Sequence, residues 1–166
     1  EHARAGRHGR IEAKMNALVD PEVIAALYEA SQAGVEIDLT VRGICCLQPG
    51  ISGLSDNITV RSIVGRFLEH ARIFHFHNAG ESETYLSSAD WMPRNLDRRI
   101  ELMFPVPDPD VRRNEMDILR LQQQDTAKAW LLDKTTWTPR RDEANAERIN
   151  SQEKLIPYGM KDGSNL

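Results

Sequence analysis

The chain has 166 residues, 40% of them hydrophobic, which suits one domain with a real core. A formal charge of -4 excludes a general pull toward nucleic acid or an anionic membrane, so any anion site must be a local cluster. No apolar run approaches the roughly 20 residues that cross a bilayer, and the charged, polar start shows no signal-peptide pattern.

Arg10 to Asn16 alternates, with Ile11, Ala13 and Met15 on one face and Glu12, Lys14 and Asn16 on the other, which predicts a strand. Asp20-Pro21-Glu22 supplies an N-cap and a first-turn proline, and Val23, Ile24, Leu27 and Tyr28 give the following helix an apolar face. Gly34 stands where a helix stops. Ile37, Leu39 and Val41 alternate into a second strand ending at Arg42, so the three elements read as a parallel βαβ unit.

Gly43 to Asn57 reads as a long loop of the length that often carries function. Short strands are expected at Ile58 to Ile63 and Ala71 to Phe76, with Thr84 to Ser88 returning as a hairpin partner. His75 and His77 share a face and are expected to look toward solvent, while Trp91 and Met92 pack the turn after Asp90. Ile100, Leu102 and Phe104 predict a last clear strand, and Asp108 and Asp110 open a helix of about 15 residues. Thr126 to Leu132 fits strand or helix. Residues 1–140 are expected to form the domain, and 141–166 a charged tail, loosely attached or disordered. The fold class expected is α/β: a mixed, mainly parallel sheet flanked by helices.

Cys45 and Cys46 are adjacent, and neighbouring cysteines rarely bridge, so they read as reduced thiols of a cytoplasmic protein. No metal-ligand spacing is present. The chain starts at Glu1 without an initiator methionine, which fits an excised fragment.

Polar residues collect at strand ends: Lys14 and Asn16, Arg42, His70 and Arg72, Ser87, Ser88 and Asp90, then Arg94, Arg98, Arg99 and Glu101. Ligands bind beyond the carboxyl ends of strands in open α/β sheets, and arginine holds phosphate bidentately. Lys14, Asn16, Arg42, Arg72 and Arg94 are therefore candidate phosphate ligands. A surface of ordinary arginines is the plainer alternative, since Arg42 to Arg99 holds seven Lys/Arg against six Asp/Glu. His70 is a candidate acid, base or phosphate ligand, because histidine titrates near neutrality.

The run from Arg61 to His70 (RSIVGRFLEH) and the run from Ser87 to Arg99 (SSADWMPRNLDRR) resemble polyphosphate kinase of the type-1, phosphohistidine kind. So do Ala13–Asn16, Val41–Cys46 and Gly53–Ile58, in the same order. The resemblance implies a carboxy-terminal, phospholipase D-like domain, one of two that face each other across an active site. In that pattern His70-Ala71-Arg72 occupies an H-x-K position with arginine for lysine. Ser87-Ser88-Ala89-Asp90 occupies the following turn, and Glu101 stands at the glutamate.

The implied activity is reversible transfer of the terminal phosphoryl of ATP to inorganic polyphosphate, with Mg2+. By resemblance Arg42 and His70 contact nucleotide phosphates, and Glu101 orients His70 or an arginine. The phosphorylated histidine is expected in the preceding domain, which leaves this chain inactive alone. Implied partners are ATP or ADP, polyphosphate and the remaining domains, in a homo-oligomer without nucleic acid and, at full length, at the periphery of the inner membrane. Two other readings remain open here: a phospholipase D-like phosphodiesterase half-domain, and a non-catalytic polyanion-binding module.

Overall fold

The computed structural model describes residues 3–140 and 148–161. Strand β1 (Arg10–Met15), helix α1 (Pro21–Gln32) and strand β2 (Glu36–Val41) form the expected parallel unit, with Ala13 opposite Leu39. Asp20 caps α1 by accepting from the backbone N–H groups of Glu22 and Val23 at 3.1 and 3.0 Å. Gly34 leaves the helix at φ +88, a conformation that suits a residue without Cβ.

The remaining strands are β3 (Ile58–Ile63), β4 (Ile73–Phe76), β5 (Glu83–Ser87), β6 (Met103–Pro105), β7 (Ala129–Asp133) and β8 (Thr136–Pro139). They make one eight-stranded sheet in the order β6-β5-β4-β1-β2-β3-β7-β8. The sheet is mixed and flanked by helices, as expected, but it is not mainly parallel. Among the described residues only β1–β2 and β2–β3 pair in parallel, and the other five pairings are antiparallel. Tight connections enforce this, since short turns join β4 to β5 and β7 to β8, and a hairpin must run antiparallel.

Of the segment Thr126 to Leu132, the part from Ala129 on is strand. The expected strand through Ile100 shrinks to three exposed residues at the edge of the sheet, Met103 to Pro105. The long loop after β2 is mostly structural: Leu47 and Ser55 are buried, and Ser55 Oγ bonds Gln48 O and Ile51 N.

One face of the sheet buries Ala13, Met15, Ile37, Leu39, Val41, Val60 and Phe74 with Leu27 of α1. Apart from Ala13, each of these fully buried apolar side chains contributes about 1.5–3 kcal/mol. Trp91 packs here, stacked on Phe74 at 4.8 Å between ring centroids. The opposite face meets helix α3 (Pro109–Gln123), capped by Asp108, through Ile73, Met116 and Leu119.

That second face also carries a polar layer. Lys14, Glu12, Arg61 and His75 are all buried on it. His75 therefore does not look toward solvent: its Nδ1 lies 2.8 Å from Thr84 Oγ1, and α3 crowds this end of the sheet. His77 is half-buried.

Helix α4 (Ser151–Lys161) follows, and it corrects the expectation of a loosely attached tail. Ser151 and Gln152 are buried, and Asp125 Oδ2 accepts from both the Ser151 backbone N–H and Oγ at 2.7 Å. Polar anchors rather than large apolar residues hold this segment, so its composition concealed the attachment. Residues 141–147 and 162–166 of the expected tail lie outside the described residues.

Candidate functional site

β1 and β2 run in parallel, so Asn16 and Arg42 leave the sheet at the same rim. β4 is antiparallel to β1, so the residues that precede β4, His70 and Arg72, reach that rim from its amino end. β5 reverses again and delivers Asp90 there. The topology thus brings Asn16, Arg42, His70, Arg72, Asp90 and Arg94 to one cleft of about 300 Å³.

Asp90 organises the cleft. Its Oδ1 accepts from the backbone N–H of Asn16 at 2.7 Å and of Ala17 at 3.3 Å. Its two oxygens also take Arg72 Nε at 3.2 Å and Nη2 at 3.0 Å, the bidentate fork arginine is built for. Burial pushes the Asp90 carboxyl up, but the Arg72 bonds and the Asn16 N–H outweigh it and hold the group below the usual carboxylate range.

Arg72 is largely consumed by these contacts. Its Nη1 also donates to His70 O at 3.0 Å and sits 3.1 Å from His70 Nδ1. Arg72 therefore fixes the exposed His70 against the sheet rather than offering a free fork. Arg42 differs. Its Nε donates to Asn16 Oδ1 at 2.9 Å, which aims the guanidinium, and its two terminal nitrogens meet no partner among the described residues. Among the described residues Asn16 Nδ2 is likewise buried without a partner, and the exposed Arg94 has no carboxylate on it.

Two expected residues lie elsewhere. Lys14 is 2% exposed on the second face, with Nζ 3.1 Å from Glu69 Oε2 and 3.3 Å from Ala71 O. Burial pulls its ammonium below the usual lysine range, against the opposing pull of Glu69. Among the described residues Glu101 makes no hydrogen bond to His70 or to an arginine. It accepts from Ser88 Oγ and Asn95 Nδ2, and these bonds, Ser88 first, hold its carboxyl low. It ties the end of β5 to the short helix α2 (Pro93–Arg98) and lines a separate small cleft with Arg99.

The segment that carries His70 has no regular structure, and α4 pins it. Gln152 accepts from the Phe67 N–H at 3.0 Å, donates to Phe67 O at 2.8 Å and donates to Glu69 Oε1 at 2.7 Å. Gln122 of α3 donates to Glu69 Oε2 at 2.7 Å. Sequence reading missed Gln152, which lies 83 positions from Glu69 with no motif to join them. Asp90 was legible as a polar residue at a hairpin end and as part of the turn motif, but not as the partner of Arg72.

A family model described as polyphosphate kinase C-terminal domain 2 matches residues 1–152. The chain belongs to that polyphosphate kinase family. The polyphosphate kinase of Paraburkholderia phytofirmans is 55% identical over 94% of this chain, and that of Synechocystis is 51% identical over 94%. The chain spans only 23% and 21% of those two relatives.

The crystal structure of polyphosphate kinase from Porphyromonas gingivalis matches 99% of this chain at 43% identity with a TM-score of 0.91, and the match covers 25% of that protein. Nuc from Salmonella typhimurium, a phospholipase D family member, matches 71% of this chain at 13% identity with a TM-score of 0.53. That similarity is one of fold, and it places this polyphosphate kinase domain on a phospholipase D-like scaffold. No helix among the described residues is long and apolar enough to cross a membrane.

Proposed function

We propose that this chain supplies the nucleotide-phosphate half of an ATP:polyphosphate phosphotransferase. The observation that carries this reading is the Arg42 guanidinium, aimed by Asn16 with both terminal nitrogens unmet beside His70 and Arg94. The one carboxylate of the cleft, Asp90, is already neutralised by Arg72, so the net local field attracts an anion. Phosphoryl transfer depends chiefly on positioning and on stabilising charge at the transferring oxygens. Arg42 holds two oxygens of one phosphate as a fork, and Asn16 Nδ2 offers a further donor at the floor. His70, steadied by Arg72, donates to a neighbouring phosphate or to the oxygen of the departing ADP. The phospho-accepting histidine comes from the remaining domains of the enzyme, and the chain alone does not turn over.

A resident Mg2+ does not fit these residues. Among the described residues no three carboxylate, histidine or cysteine groups cluster as ligands, and Asp90 is fully occupied by donors. Mg2+ is commonly held by substrate phosphates with one or two carboxylates, so any such ion would ride on the nucleotide.

The test joins the chain to the remaining domains of a family member and follows ADP release with polyphosphate growth. Arg42→Ala is expected to lower the rate by about 10² to 10³, as loss of one charge-stabilising donor does. Arg42→Lys should recover little, because an ammonium cannot form the fork. Wild-type rates for both variants would remove Arg42 from the site.

A further inference from the structure

A second cleft, of about 560 Å³, opens on the α3 face at the other end of β1. Arg10 and Asn16 mark the two ends of that strand, so roughly 20 Å separates the two clefts. Four guanidinium groups line it, from Arg10, Arg112, Arg113 and Arg120, against one carboxylate, Glu12. Glu12 is already spent on Arg10, at 3.3 Å, and on Gln123, at 2.6 Å.

Three of these arginines are available, whereas Arg10 is held by Glu12 and by Glu36, the latter at 3.1 Å. Arg112 has no carboxylate partner among the described residues, and its Nη1 donates to Ser82 O at 3.1 Å. Arg113 and Arg120 hold only surface carboxylates three residues back on α3, Asp110 and Asp117. Exposed pairs of this kind contribute little and exchange readily for a better anion. A second observation lies at the same cleft: His77 lines it, and its Nδ1 is buried without a hydrogen-bond partner among the described residues. His75, unlike the half-buried His77, is more than nine-tenths buried, and with Nδ1 engaged by Thr84 its other ring nitrogen makes no hydrogen bond among the described residues.

We propose that this cleft is a second anion site that takes an inorganic phosphate chain. Arg112 and Arg120 stand eight residues apart on one face of α3, which spaces them by roughly 12 Å. A row of that length matches charges strung along a chain better than a single small anion. The lining contains no Trp, Tyr or Phe on which a base would stack, so a nucleoside adds nothing. The site is independent of the role given to Arg42.

The experiment uses the 166-residue chain carrying Arg42→Ala, which silences the first cleft. Sodium tripolyphosphate, orthophosphate and ATP are titrated separately at fixed salt, with backbone amide and histidine ring resonances followed by NMR. Saturable shifts at His77 and along Arg112–Arg120 are expected with tripolyphosphate. Orthophosphate should bind more weakly, and ATP no more tightly than tripolyphosphate. Arg113→Glu with Arg120→Glu, both exposed and so harmless to folding, should weaken tripolyphosphate binding by about tenfold or more. Circular dichroism checks the fold of each variant. Absence of saturable shifts at those residues overturns the proposal. So does unchanged affinity in the double variant, or ATP binding clearly tighter than tripolyphosphate. Each of these outcomes leaves the Arg42 reading untouched, because that cleft is tested by turnover.

Discussion

Removing the Asp90 carboxylate should be among the most destabilising single changes at the cleft. The group is 4% exposed and receives two backbone N–H groups and two Arg72 nitrogens. Asp90→Ala leaves the Arg72 guanidinium unpaired where its side chain is 11% exposed. Breaking a buried pair from one side costs about 3–5 kcal/mol. Asp90→Asn keeps an acceptor for the N–H groups but loses the charge, for about 1.5–3 kcal/mol.

Urea unfolding measures both, since with a slope of about 2 kcal/mol per molar a loss of 4 kcal/mol moves the midpoint by about 2 M. The pH dependence has a defined sign. The folded carboxyl lies below its unfolded value of about 3.9, so its stabilisation is present above that pH and lost as pH falls through the folded value. The gap between wild type and Asp90→Asn should therefore close in acid. An Asp90→Ala midpoint within about 0.5 M of wild type, or a gap that stays constant down to pH 2, would show that the pair does not hold this rim.

Gly65→Ala should loosen the His70 segment, because a Cβ there would stand 2.9 Å from Gln152 Cδ and closer still to its Oε1. Faster hydrogen exchange at Phe67 is expected, in Gly65→Ala and in Gln152→Leu alike, and unchanged protection would refute the clamp. Lys14→Ala should cost about 3–5 kcal/mol in urea unfolding by leaving Glu69 without its cation, and a loss below 1 kcal/mol would refute the pairing. With Ellman's reagent at pH 8, Cys46, which is exposed, should react first. Cys45 should lag, since burial pushes its thiol up to about 11. Equal rates for the two thiols would contradict this.

Local chemistry made several elements legible without coordinates. Asp20-Pro21 and the pair Asp108 and Asp110 announce two helices because a capping side chain and the residues of the first turn act within four positions. The alternation in β1 and β2 assigned their faces correctly, since strand side chains alternate whatever lies beyond them. The motifs around Arg42, His70 and Asp90 were likewise readable as a family pattern.

The division of labour among those residues was decided by the tertiary structure. Lys14 and Arg42 look alike as cations at strand ends, yet burial against Glu69 makes one a structural ion pair, while Arg42 keeps two open nitrogens. Glu101 and Asp90 are both acidic, yet only Asp90 reaches Arg72. Gln152 joins Phe67 and Glu69 across more than 80 positions, and nothing in a polar, charged segment announces that contact. Sequence records which groups are present and their local period. Which donor meets which acceptor depends on strand order and direction, and those are fixed by packing over the whole chain.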